Sequence, residues 1–136
     1  MATISEDYVS FETAKLLKEK GFDQNCATYY LDGQVWRHYH GEVIPKDKQI
    51  YAAPTQAMAM KWLREVHNLV ICAEISNEND KGNTDYSNPD RWYWFFDITN
   101  EKGVVIDTES DYILNEYSSY EEACEAAIKY CIEHLI

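Results

Sequence analysis

Positive charge is scarce in this chain of 136 residues: 12 Lys and Arg stand against 24 Asp and Glu, for a net charge of −12. A protein that grips nucleic acid by neutralising phosphates needs a basic face, so that class is excluded as a direct binder. Long apolar runs are also missing. The longest are about five residues, against the roughly 20 needed to cross a bilayer as a helix. Residues 1–7 carry neither a basic stretch nor an apolar core of a signal peptide, so a cytoplasmic setting is expected. Glycine (5) and proline (3) are too few and too scattered for a phosphate-cradling loop or a flexible linker. There is no repeat, no CxxC pair, no G-x-S-x-G elbow and no H-E-x-x-H.

Hydrophobic residues make up 46% of the chain and aromatics 14%, including 11 tyrosines and 4 tryptophans. A chain of this length buries roughly two-thirds of its unfolded surface. One domain over residues 1–136 is therefore expected, with a frayed start at 1–7. The four cysteines (Cys26, Cys72, Cys124, Cys131) read as reduced thiols. Cys124 and Cys131 are seven residues apart in a helix, about 10 Å along its axis, too far for a disulfide.

Periodicity predicts the elements. Ser10 caps a helix to about Lys20, with Phe11, Ala14 and Leu17 inward; Gly21 ends it, and Phe22 packs back on Leu17. Asp32-Gly33 sits between two apolar-aromatic runs, residues 26–31 and 34–40, as a type I′ hairpin. A short strand follows at Ile50-Tyr51. Pro54 and Thr55 open a second helix to His67, with Ala59, Trp62, Leu63 and Val66 as its inner stripe. A strand at residues 69–75, a polar loop at 76–90 and an aromatic strand at 91–99 come next. That strand is apolar on both faces, as a central strand would be. A hairpin leads into residues 104–107. Ser119-Tyr120-Glu121-Glu122 is a capping box for a last helix carrying Ala123, Cys124, Ala127, Ile128, Cys131, Ile132 and Leu135 inward. The order α-β-β-α-β-β-β-α predicts an α+β domain: one antiparallel sheet of about four or five strands with three helices mainly on one face.

Few residues suggest chemistry. His38 and His40 alternate on one strand face near Glu42, but no third metal ligand accompanies them. His67 suits the end of its helix, where an imidazolium meets the free carbonyls. Asn77-x-Asn79-x-Lys81-Gly82 departs from a calcium loop at Lys81, and Asp107-x-Glu109-x-Asp111 departs from it by placing Tyr112 where glycine is needed. No catalytic residue, cofactor or metal is assigned.

Charge is distributed unevenly. Residues 1–73 hold 9 acids and 8 bases, whereas residues 74–136 hold 15 acids and 4 bases. Between Lys102 and Lys129 there is no Lys or Arg. If residues 107–111 are extended, Asp107, Glu109 and Asp111 face one way at roughly 6.8 Å spacing. With Glu116, Tyr112 and Tyr117 they form the expected interaction surface, because tyrosine favours protein interfaces and a carboxylate row imitates phosphate charge. The bland alternative is a solvated acidic face. A small-ligand pocket between sheet and helices, and an enzyme with no visible motif, are the other two readings.

Three phrases carry a resemblance. They are Tyr8-Val9-Ser10-Phe11-Glu12 running through Leu16-Leu17-Lys18-Glu19-Lys20-Gly21-Phe22; Ala53-Pro54-Thr55-Gln56-Ala57 with Trp62-Leu63-Arg64-Glu65-Val66-His67; and Tyr120-Glu121-Glu122-Ala123. Across nearly the whole chain this resembles a family of small uncharacterised proteins encoded by phages, prophages and mobile elements of gut Bacteroides-type bacteria. The loop 76–90 is longer here. The resemblance implies an accessory viral protein in the bacterial cytoplasm whose partner is a host or phage protein. It carries over no activity and no site residue.

Overall fold

The computed structural model describes residues 3–37, 50–76, 92–106 and 116–136. The His38/His40 pair, nearly all of the loop 76–90, and Asp107, Glu109, Asp111 and Tyr112 lie outside the described residues. The architecture is α+β, built from three helices and two three-stranded antiparallel sheets.

Local signals set the elements. Helix α1, Phe11–Glu19, begins where the Ser10 side chain accepts from Thr13 N–H. It ends in a Schellman motif: Gly21 has φ +90°, its N–H donates to Lys18 carbonyl at 3.1 Å, and Phe22 N–H donates to Leu17 carbonyl at 2.9 Å. Strands β1 (Thr28–Leu31) and β2 (Gln34–Arg37) flank Asp32 and Gly33, both at positive φ. Strand β3 is Ile50–Ala52. Helix α2, Gln56–His67, has Thr55 as its N-cap, so Pro54 stands just outside the helix rather than in its first turn. Strands β4 (Val70–Ser76), β5 (Tyr93–Asn100) and β6 (Gly103–Ile106) follow. Helix α3, Tyr120–Tyr130, runs on into a π-helical stretch, Cys131–Leu135.

The single sheet expected from the strand count is instead two. One has the order β2-β1-β3 and the other β4-β5-β6. β3 returns to β1, with Tyr29 opposite Ala52 and Leu31 opposite Ile50. Alternation of apolar residues marks a strand but does not say which strand it pairs with, so this return was invisible beforehand. β5 is central in its sheet, as its two apolar faces implied. Where β6 leaves it, the backbone of Tyr117 takes over: Trp94 and Tyr117 exchange two hydrogen bonds of 2.8 Å.

The helices join the sheets. α1 lies against β3, with Phe11 edge-on to Tyr30 and Tyr51. α3 packs on β4 and β5, and both α1 and α2 contact α3. One hydrophobic cluster therefore runs from Tyr30 of the first sheet through Leu17, Leu63, Ile128 and Ile132 to Phe96 and Ile98 of the second. Val66 departs from its stripe and is 56% exposed.

Candidate functional site

The N-terminal segment, α2 and α3 meet at one end of the molecule. Val9 N–H donates to Pro54 carbonyl at 3.1 Å and Gln56 N–H to Asp7 carbonyl at 2.9 Å, while Tyr8 bridges to Thr55. The chain is thus tied along the start of α2 from Asp7 onward. Thr55 Oγ1 accepts from Met58 N–H at 3.1 Å, and Ser119 Oγ accepts from Glu122 N–H at 3.1 Å. The return half of the expected capping box goes elsewhere: Glu122 accepts from Ser118, Oγ at 2.6 Å and N–H at 3.1 Å, instead of from the cap residue. These two bonds hold the Glu122 carboxyl below its usual range.

Between these elements lies a cleft of about 190 Å³, walled by Glu6, Asp7, Gln56, Met60, Tyr120 and Glu121 among others. Gln56 is its most buried wall residue for which a side-chain bond is seen: it is 7% exposed, and its Nε2 donates to Glu121 carbonyl at 2.9 Å. Tyr120 is 41% exposed and leans edge-on against Trp94, with ring centroids 5.5 Å apart. A hydrogen bond with the Cys124 thiol, burial and the nearby Glu121 charge push its phenol above the ordinary range. Two smaller observations place the remaining predicted residues. Glu116 is exposed. Tyr117 is half-buried, stacked on Phe96 at 6.0 Å, with burial raising its phenol. The expected surface is therefore described only at Glu116 and Tyr117, and Tyr117 turns its ring to the core.

Elsewhere, two more clefts of about 200 and 250 Å³ sit beside α1 and β3 and beside Trp62. All three are smaller than the roughly 300–1,000 Å³ typical of drug-sized ligand pockets. Among the described residues no three His, Cys, Asp or Glu side chains gather as a metal site. No described helix is long and apolar enough to cross a membrane. His67 does not use Nε2 to close its helix. Asn68, in a left-handed conformation, does so through its N–H to Leu63 carbonyl, and the His67 ring packs on Trp62 at 4.6 Å. Its Nε2 is buried without a partner among the described residues.

The thiols separate by burial. Cys124 and Cys131 are fully buried and Cys72 is exposed. Burial raises the Cys124 and Cys26 thiols and pushes Cys131 up to about 12. The thiolate is the reactive form, so Cys72 is expected to react first with a disulfide reagent near pH 8. Cys26, whose Sγ lies 3.8 Å from Met58 Sδ, should follow more slowly. Cys124 and Cys131 should react only after denaturation. Counting released chromophore before and after adding guanidinium checks this, and fast native labelling of Cys131 would contradict it.

No family model, no curated protein and no solved structure matches this chain.

Proposed function

We propose that this protein is a non-enzymatic interaction module that binds another protein through an acidic, tyrosine-bearing surface. The observation that supports it is the cleft at the starts of α2 and α3, where Glu6, Asp7 and Glu121 stand beside the open ring of Tyr120. On a chain of net charge −12, such a surface draws a basic partner by long-range attraction and holds it by aromatic contact. The family resemblance sets this activity in the bacterial cytoplasm, as that of a phage or prophage accessory protein acting on a host or phage protein. In its sharper form the reading adds Asp107, Glu109 and Asp111, whose charges would mimic those of a nucleic acid.

Tagged protein incubated with lysate of a Bacteroides-type cell is expected to retain a defined basic protein at about 50 mM salt. Most of it should be lost at about 300 mM, because the screening length shortens well below 10 Å. Neutralising Asp107, Glu109 and Asp111 to their amides should weaken the same capture if the row mimics nucleic acid. A partner held equally at both salt concentrations would overturn the electrostatic reading.

A further inference from the structure

We infer that the free edge of β4 pairs with β4 of a second copy of this chain, joining two three-stranded β4-β5-β6 sheets into one continuous sheet.

Each sheet ends in two edges, β2 and β3 in the first and β4 and β6 in the second. An edge strand presents a row of unpaired N–H and C=O groups, which proteins ordinarily blunt with a helix, a bulge, a lysine, a proline or short length. β3 packs against α1, and Lys18 Nζ donates to its Ile50 carbonyl at 3.1 Å. β2 is only 4 residues long. β6 is equally short, and its ladder to β5 shifts register at Ile98/Thr99. β4 has none of these devices. It is 7 residues long, its ladder to β5 is regular throughout, and no strand lies on its other side among the described residues. Its sequence, VICAEIS, holds no proline and no lysine. Cys72 and Glu74 are exposed, and Ile75 is 46% exposed.

Unpaired backbone groups on an edge are completed by another extended strand, and β4 fits itself. In an antiparallel pair centred on Ala73, alanine meets alanine, Ile71 meets Ile75 and Cys72 meets Glu74. Ladder partners point to one face, so Ile71, Ala73 and Ile75 share the face of Ile98, Phe96 and Trp94. The open Ile75 is then covered by Ile71 of the second copy, and the apolar face continues across the seam. Glu74 is the only charge on the strand, and here it meets a thiol instead of another carboxylate. Other registers are worse. A slip of one residue turns the apolar face of the second copy to the opposite side of the sheet. A slip of two either sets Glu74 against Glu74 or takes Ile75 away from Ile71. The rest of the molecule opposes the contact, since each copy carries a net charge of −12. Salt relieves that repulsion, so pairing strengthens as salt rises, the reverse of its effect on a basic partner.

The test is sedimentation equilibrium of the full chain from about 10 to about 500 μM, a range suited to a small, weak interface, at about 50 and about 500 mM salt. The mass is expected to rise with concentration from 15.9 kDa toward twice that value, and to rise further at high salt. Ile75→Lys puts a charge into the seam at a position that is already open, and should leave a monomer with an unchanged circular dichroism spectrum. Glu74→Cys sets its thiol opposite Cys72 of the second copy, so mild oxidation should give a covalent dimer linked between positions 74 and 72. The unaltered chain, whose two Cys72 residues lie on a diagonal of about 7–8 Å, should not cross-link. A monomer under every condition, a dimer that salt dissolves or that Ile75→Lys leaves intact, or links between other positions overturn the inference. Its failure leaves capture of a basic protein untouched, because that surface lies at the starts of α2 and α3.

Discussion

Replacing Phe96 with alanine is expected to lower the free energy of unfolding by about 3–5 kcal/mol, a large share of the roughly 5–15 kcal/mol that holds a domain together. Phe96 sits in the middle of β5, the central strand of the second sheet, and is 1% exposed. It faces Ala73 across the ladder to β4, a small neighbour that leaves the ring to fill the space. Tyr117 stacks on it from the segment that enters α3, and the backbone beside Tyr117 is pinned to Trp94. Truncation therefore opens a cavity where sheet, helix and crossing segment meet. Because these parts hold one another through backbone bonds, they can collapse only partly into the gap. Urea unfolding should show a lower midpoint with an unchanged slope. A loss below about 1 kcal/mol would mean that this site relaxes freely and is not the centre of the core.

Replacing Glu125 with alanine is expected to cost about 2–3 kcal/mol, the range for losing hydrogen bonds to a charged group and leaving one buried donor, the Thr13 hydroxyl, without its acceptor. Glu125 lies on α3, yet its Oε1 accepts from Thr13 Oγ1 at 2.6 Å and from Ser10 N–H at 3.0 Å at the start of α1. It thus completes the cap of a helix more than a hundred residues earlier in the chain. The placement also suits the helix dipole, whose positive end faces the carboxylate. Glutamine at this position keeps one acceptor oxygen and should cost less than alanine. A double-mutant cycle with Thr13→Val isolates the contact: an interaction energy near zero would show that the short bond adds nothing to stability. The second carboxylate oxygen, Oε2, is buried without a partner among the described residues, which limits the net gain from the group.

How far the sequence could be read depended on distance along the chain. The Schellman ending at Gly21 and Phe22, the Asp32-Gly33 turn and the caps at Ser10 and Ser119 each involve residues within a few positions, so residue type alone specified them. The inner face of α3 was equally legible, because Ala123, Cys124, Ala127, Ile128, Cys131 and Ile132 keep one helical stripe and all are buried. Val66 kept the period of its stripe but not its burial. Period says where a side chain points, and only a neighbouring element decides whether anything covers it.

The candidate site was the least legible part. Glu6 and Asp7 fall in the frayed polar start expected at residues 1–7, and no sequence pattern set Gln56 or Glu121 beside them. They gather because Asp7 carbonyl caps Gln56 and because Gln56 reaches across to Glu121, contacts spanning 49 and 65 positions of the chain. Even a good motif was misread in one respect, since the Glu122 carboxylate found Ser118 nearer than the cap it was expected to reach.

By itself the sequence determined an acidic α+β domain, the caps and turns of its elements, and the side of each long helix that is buried. These follow from backbone sterics, short-range hydrogen bonding and the period of hydrophobic residues. Only the tertiary structure decided that the strands form two sheets, that Glu125 caps α1, and that Gln56 ties the start of α2 to Glu121 of α3. Pairing between distant segments is settled by the summed burial and hydrogen bonding of the whole chain, which no local pattern records.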